Sequence, residues 1–166
     1  MSNTIGIIGS GTMGTGIAQV AGTNGCTTLV YDSNENALKK SQSSINRILD
    51  RLIEKEKIQL SDKEFILSNI EYSTGLNSLS KCDLVIEAIV ENKDVKNQVF
   101  NELEQIIDDA CIVATNTSSL SVTSLASSLD KPERFLGIHF FNPVPLMQLV
   151  EIIPAVQTNE PTLTIA

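Results

Sequence analysis

Apolar runs of four to six residues alternate along this chain with longer stretches in which apolar positions recur at helical spacing, a βαβ rhythm. Strands are expected at 4–8, 27–31, 70–73, 83–88, 111–115, 135–139 and 149–153, the run at 70–73 being the weakest. Helices are expected at 12–24, 35–57, 61–67, 94–108 and 121–128. In the longest, Leu38, Ile45, Ile48, Leu49, Leu52 and Ile53 share one side. Ser61-Asp62-Lys63-Glu64 carries a capping-box pattern, which places a helix start at Ser61. The strongest strand runs are continuously apolar, as in strands covered on both faces. The fold class expected is therefore α/β, a Rossmann-type, mostly parallel sheet with helices on both faces. The helical pair at about 35–67 is longer than a plain crossover needs and reads as an inserted hairpin. Residues 1–166 read as one domain, long enough to bury a core.

Gly9-Ser10-Gly11-Thr12-Met13-Gly14 lies where the first strand meets the first helix. A glycine fingerprint alone is weak, but strand before and helix after are the context that gives it meaning. Gly9 permits the tight turn, Gly11 lets the backbone approach a pyrophosphate, and Gly14 lets helix and strand pack closely. The N–H groups of Thr12 and Met13 open the helix toward the phosphates. Asp32 ends the second strand about 20 residues after the glycines, where a carboxylate accepts from the adenosine ribose hydroxyls. A 2′-phosphate would meet that charge, and neither Ser33 nor Asn34 offsets it, so NAD is expected over NADP. A structural glycine turn with a surface aspartate is the alternative.

Composition narrows the field. Hydrophobic residues at 42% and charged residues at 19% are ordinary for a globular protein. The net charge of −8 argues against a nucleic-acid partner. No apolar run reaches the ~20 residues of a membrane span, and Met1-Ser2-Asn3-Thr4 runs straight into the first strand without a signal segment. A cytoplasmic location is expected. Cys26, Cys82 and Cys111 lack metal-like spacing and read as free thiols in a reducing compartment; no metal is expected.

In an open parallel sheet, ligands bind beyond the carboxyl ends of the strands. Glu91, Asn116, Ser118 and the only histidine, His139, all fall there. By itself His139, beside Phe140 and Phe141, would read as a core residue, but its place on the cofactor rim makes it a candidate base. Four segments, Gly9–Ala18, Glu87-Ala88-Ile89-Val90-Glu91-Asn92, Thr115-Asn116-Thr117-Ser118-Ser119-Leu120 and His139-Phe140-Phe141-Asn142-Pro143-Val144-Pro145, resemble the L-3-hydroxyacyl-CoA dehydrogenases. The bacterial 3-hydroxybutyryl-CoA branch is the nearest in pattern. The resemblance covers essentially the whole chain, and the histidine motif is its most specific part.

That resemblance implies NAD-dependent oxidation of (S)-3-hydroxyacyl-CoA to 3-oxoacyl-CoA, or the reverse. It implies His139 as general base, Glu151 as its carboxylate partner and Ser118 as a hydrogen-bond donor to the substrate oxygen near the nicotinamide. Asn142 would lie beside the cofactor, with Glu91 and Lys96 near the nicotinamide ribose. A solvated helix lysine at 96, or a structural Glu151 facing solvent, are the alternatives. Seven of the twelve basic residues fall between Lys39 and Lys63. Arg47, Arg51 and Lys55, four apart, would line one helical face. By resemblance Arg51 and Lys55 hold coenzyme A; otherwise they form a solvated face balanced by Asp50 and Glu54.

Family members continue into a helical second domain that forms the dimer contact, walls the acyl pocket and adds an active-site asparagine. The chain given stops at Ala166. It is therefore expected to be the cofactor half of a homodimeric enzyme, with poor turnover alone. Two other readings stay open: a β-hydroxyacid or gulonate-type dehydrogenase of the same fold, and a non-catalytic NAD-binding module.

Overall fold

The computed structural model describes residues 4–166. Met1-Ser2-Asn3, the start of the segment read as leaving no room for a targeting signal, lies outside them. Seven strands form one sheet in the order β3-β2-β1-β4-β5-β6-β7. They are β1 (Thr4–Ile8), β2 (Thr27–Tyr31), β3 (Ile70–Ser73), β4 (Leu84–Glu87), β5 (Ile112–Thr115), β6 (Phe135–Phe140) and β7 (Val150–Pro154). Every pairing is parallel except the last, in which β7 runs antiparallel to β6. The chain builds outward from β1 to β3, then returns to lay β4 on the other side of β1. That reversal opens a crevice at the carboxyl ends of β1 and β4.

Neighbouring residues on a strand feed opposite faces. Ile7, Ile86, Ala114 and Leu136 join a core with α1 (Thr12–Thr23), α2 (Glu35–Glu54) and α3 (Leu60–Ser68). Ile8, Val85, Val113 and Phe135 join a second core with α4 (Lys93–Glu104) and α5 (Val122–Ala126). Two buried faces account for the unbroken apolar runs, and the α/β reading holds. The pair α2–α3 bridges β2 to β3 and packs on α1.

Several element ends differ from the pattern-based expectation. Helix α2 stops at Glu54, because Lys55 caps it and Glu56 turns left-handed at φ 54°. The cap of helix α3 lies two residues before Ser61: Asp62 Oδ2 accepts the Gln59 N–H at 2.8 Å, so Gln59 is the cap. Two 3-10 turns, Leu76–Lys81 and Pro132–Arg134, and the short α6 (Glu160–Ile165) lie where no element is expected. Helix α6 has a readable signal in the Asn159 cap, which accepts from the Thr162 N–H, and in the proline of its first turn.

Candidate functional site

The crevice has one end at the glycine turn and a candidate chemical end beside His139. At the first, Gly9 adopts φ +101°, and a side chain there would strike Ala88 O at 2.7 Å. A Cβ on Gly14 would lie 1.9 Å from Gly9 O, whereas one on Gly11 would meet nothing within 4 Å. Gly9 and Gly14 are thus required by protein packing, and Gly11 faces open space. Helix α1 starts at Gly11 without a side-chain cap or an acidic residue in its first turn. Its first N–H groups remain available to an anion. Gly9, Gly11, Thr12, Met13, Asp32, Val90 and Val95 line a cavity of about 600 Å³. The glycines, the helix terminus and Asp32 therefore fit a dinucleotide.

Asp32 is more engaged than a free ribose acceptor. Its Oδ2 accepts from both Ser10 N (2.9 Å) and Ser10 Oγ (2.7 Å), and its Oδ1 from Asn34 N (2.9 Å).

At the chemical end, a cavity of about 300 Å³ brings together Met13, Glu91, Lys96, Asn116, Ser118, His139 and Asn142. Ser118 is exposed, and Asn142 lies on the loop after β6. His139 and Glu151 stand directly opposite in the β6–β7 ladder. Their Nδ1···Oε2 distance is 2.8 Å. A carboxylate can only accept, so Nδ1 donates, and the neutral ring then carries its lone pair on Nε2. Nε2 has no hydrogen-bond partner among the described residues. The Phe141 ring packs against the imidazole, with centroids 4.6 Å apart.

Beneath this cavity lies a network that sequence reasoning missed. Glu87, at the end of β4, and Lys96, on α4, are 0% and 1% exposed and pair at 2.5 Å. Lys96 is therefore no solvated helix lysine. Glu87 Oε1 also accepts from Ile89 N–H (2.7 Å), and its Oε2 accepts from the Thr115 hydroxyl (2.7 Å). Lys96 Nζ also reaches Glu91 Oε2 at 3.4 Å. Glu91 accepts from Thr117 Oγ1 and from Ser119 Oγ (3.1 Å). Burial pushes the Glu91 carboxyl upward, but the Thr117 hydrogen bond, the Lys96 charge and the Ser119 hydroxyl outweigh it and hold the group below its ordinary value. Asn116 Oδ1 accepts the Phe140 N–H at 2.9 Å, tying β5 to β6 under the histidine. The signal for Glu87 was a carboxylate closing an apolar strand, and it was read only as part of a motif.

The helical pair supplies a different surface. Arg47, Arg51 and Lys55 are exposed and form no ion pair among the described residues. Asp50, read as a balancing charge, is committed to Lys63 at 2.5 Å. Lys55 lies at the cap and not within the helix. An apolar groove of about 770 Å³, lined by Ile48, Leu52, Lys57, Phe140, Pro143 and Leu146, lies between α2 and the loop after β6 and takes in none of Arg47, Arg51 and Lys55. The thiols are free; burial pushes Cys82 and Cys111 up to about 12.

Fold and crevice define a doubly wound dinucleotide-binding domain that presents a histidine–carboxylate pair at its mouth. The family model for "3-hydroxyacyl-CoA dehydrogenase, NAD binding domain" matches residues 4–166, and the chain belongs to that family, whose cofactor is NAD. A probable 3-hydroxybutyryl-CoA dehydrogenase of Deinococcus radiodurans is 45% identical over 160 residues, covering 96% of this chain and 57% of that protein. The human mitochondrial hydroxyacyl-coenzyme A dehydrogenase is 44% identical over 162 residues, covering 94% and 52%. The crystal structure of an (S)-3-hydroxybutyryl-CoA dehydrogenase from Ralstonia eutropha superposes with a TM-score of 0.96 at 42% identity, over 99% of this chain and 58% of that one. The chain thus spans just over half the length of the relatives it matches. Among the described residues no helix is long and apolar enough to cross a membrane, and no group of metal-ligating side chains is present.

Proposed function

We propose that this domain is the cofactor and proton-transfer half of an NAD-dependent enzyme that interconverts (S)-3-hydroxyacyl-CoA and 3-oxoacyl-CoA. The observation that carries this is the His139–Glu151 pair, set in one cavity with Ser118, Asn142, Glu91 and Lys96. Bound NAD supplies the hydride acceptor. His139 Nε2 takes the proton from the 3-hydroxyl as hydride leaves C3, and Glu151 stabilises the imidazolium that forms. In reduction the same nitrogen returns the proton. Ser118 orients the substrate oxygen, and Asn142 borders the cofactor. Glu91 holds the nicotinamide ribose, with Lys96 beneath it fixing the Glu91 carboxylate, while Gly9, Gly11, Thr12, Met13, Gly14 and Asp32 hold the pyrophosphate and adenosine.

Arg51 and Lys55 take coenzyme A; their exposed charges, unpaired among the described residues, support phosphate binding. Exposed Leu146, Met147, Leu149 and Ile152 support burial of this edge against a further, dimer-forming part of the full-length protein. Unreactive buried thiols fit a reducing cytoplasm.

The test is acetoacetyl-CoA turnover by the full-length protein and its His139→Ala variant. Loss of the base lowers kcat by about 10²–10⁴-fold, with NADH affinity nearly unchanged. Undiminished turnover would remove His139 from the mechanism.

A further inference from the structure

We propose that Ser10, the variable position between the first two glycines, sets the selectivity for NAD over NADP by fixing Asp32. This rests on the reading of Asp32 as the group facing the adenosine ribose. Ser10 is 6% exposed and spends both its backbone N–H and its hydroxyl on one carboxylate oxygen, Oδ2, at 2.9 and 2.7 Å. Asn34 N–H holds the other oxygen at 2.9 Å. A carboxylate offers about four lone-pair sites. Three are filled by the protein itself, and the fourth is on Oδ1.

Two consequences follow from that geometry. The carboxylate plane cannot rotate without breaking charge-assisted hydrogen bonds, so the negative charge is pinned at the wall of the adenosine cavity that Asp32 lines. It also presents a single acceptor, matched to one ribose hydroxyl. A 2′-phosphate brings no donor for that acceptor and meets a charge that cannot swing away. Without the Ser10 hydroxyl, the side chain keeps only backbone donors and regains rotational freedom. Asp32 would still accept a ribose hydroxyl, but it would also yield to a phosphate. Ser10 itself stays anchored, because its carbonyl accepts from Thr15 Oγ1 at 3.0 Å. The loop backbone therefore does not depend on the hydroxyl.

The experiment is calorimetric titration of the wild-type, Ser10→Ala and Ser10→Thr proteins with NADH and with NADPH. Adenosine 5′-monophosphate and adenosine 2′,5′-bisphosphate serve as probes of the adenosine end alone. In Ser10→Ala the ratio of NADPH to NADH dissociation constants falls by roughly tenfold, the low end of the scale of one charge-assisted hydrogen bond. The mononucleotide pair shows the same fall, and Ser10→Thr, which keeps a hydroxyl, restores much of the ratio. A merely structural serine would weaken both cofactors alike and leave the ratio unmoved, which overturns the assignment. A larger ratio overturns it too, since the hydroxyl would then be competing with the ribose. Equal affinity of the wild type for NADH and NADPH would instead refute the reading of Asp32, and the role of Ser10 with it.

Discussion

Two acid–base pairs stand on the same rim of one sheet in opposite surroundings. Glu87–Lys96 is sealed, with both side chains at or below 1% exposure and every oxygen of Glu87 occupied. His139–Glu151 is open, at 17% and 50%, and one ring nitrogen has no protein partner. The sealed pair cannot exchange protons with a substrate and instead locks β4, β5 and α4 together under the cavity. The open pair spans only one strand ladder and leaves a ring nitrogen without a partner among the described residues. Water access, more than residue type, divides the pair committed to the fold from the pair open to a ligand on this rim.

The sharpest way to break the comparison is to remove one acid from each pair. Glu87→Ala strands the Lys96 ammonium in the interior and is expected to cost about 3–5 kcal/mol in denaturant unfolding. Glu87→Gln, which keeps the shape and one acceptor, should recover part of that loss. A cost for Glu87→Ala no larger than that of a surface substitution would show that the seal is illusory. Glu151→Gln should change stability by no more than ~1 kcal/mol, yet slow turnover in the full-length protein and alter its pH–rate profile.

Glu91 lies between these extremes and should show the smallest effect. Its carboxyl is held below the ordinary 4.5, so its contribution is present above that value and disappears as pH falls through the folded value. Glu91→Gln is then less stable than wild type near neutrality and converges with it in acid. Parallel stability curves across that range would disconnect Glu91 from the Lys96 charge.

The strand positions, the α/β class and the rim were legible because each depends on local pattern, whereas the strand order came only with the fold. Continuous apolar runs such as Val85-Ile86 and Val113-Ala114 signal two-sided burial, and polar residues at strand ends mark the crevice. Glu87 was not legible as a keystone, since its partners Lys96 and Thr115 come from α4 and from the neighbouring strand. Only the β4–β5 register sets Glu87 beside Thr115. The grip of Ser10 on Asp32 spans 22 residues and has no periodicity to betray it. Helix ends were displaced because caps such as Gln59 depend on single hydrogen bonds. The basic stripe was legible only as charge, because the fold exposes Arg51 and Lys55 without pairing them among the described residues.

The pairing of His139 with Glu151 across an antiparallel ladder has a consequence for how such proteins vary and are searched. Their alignment is set by strand pairing, so the exposed stretch 145–149 can gain or lose residues without altering the pair's geometry, provided Phe140 still faces Val150. A slip of one residue along β7 would instead present Val150 or Ile152 to the imidazole and send the carboxylate to the opposite face. Length variation in that loop is tolerable while a single frame error in the strand is silencing. A fixed-spacing signature built on the two residues would miss working relatives and accept broken ones.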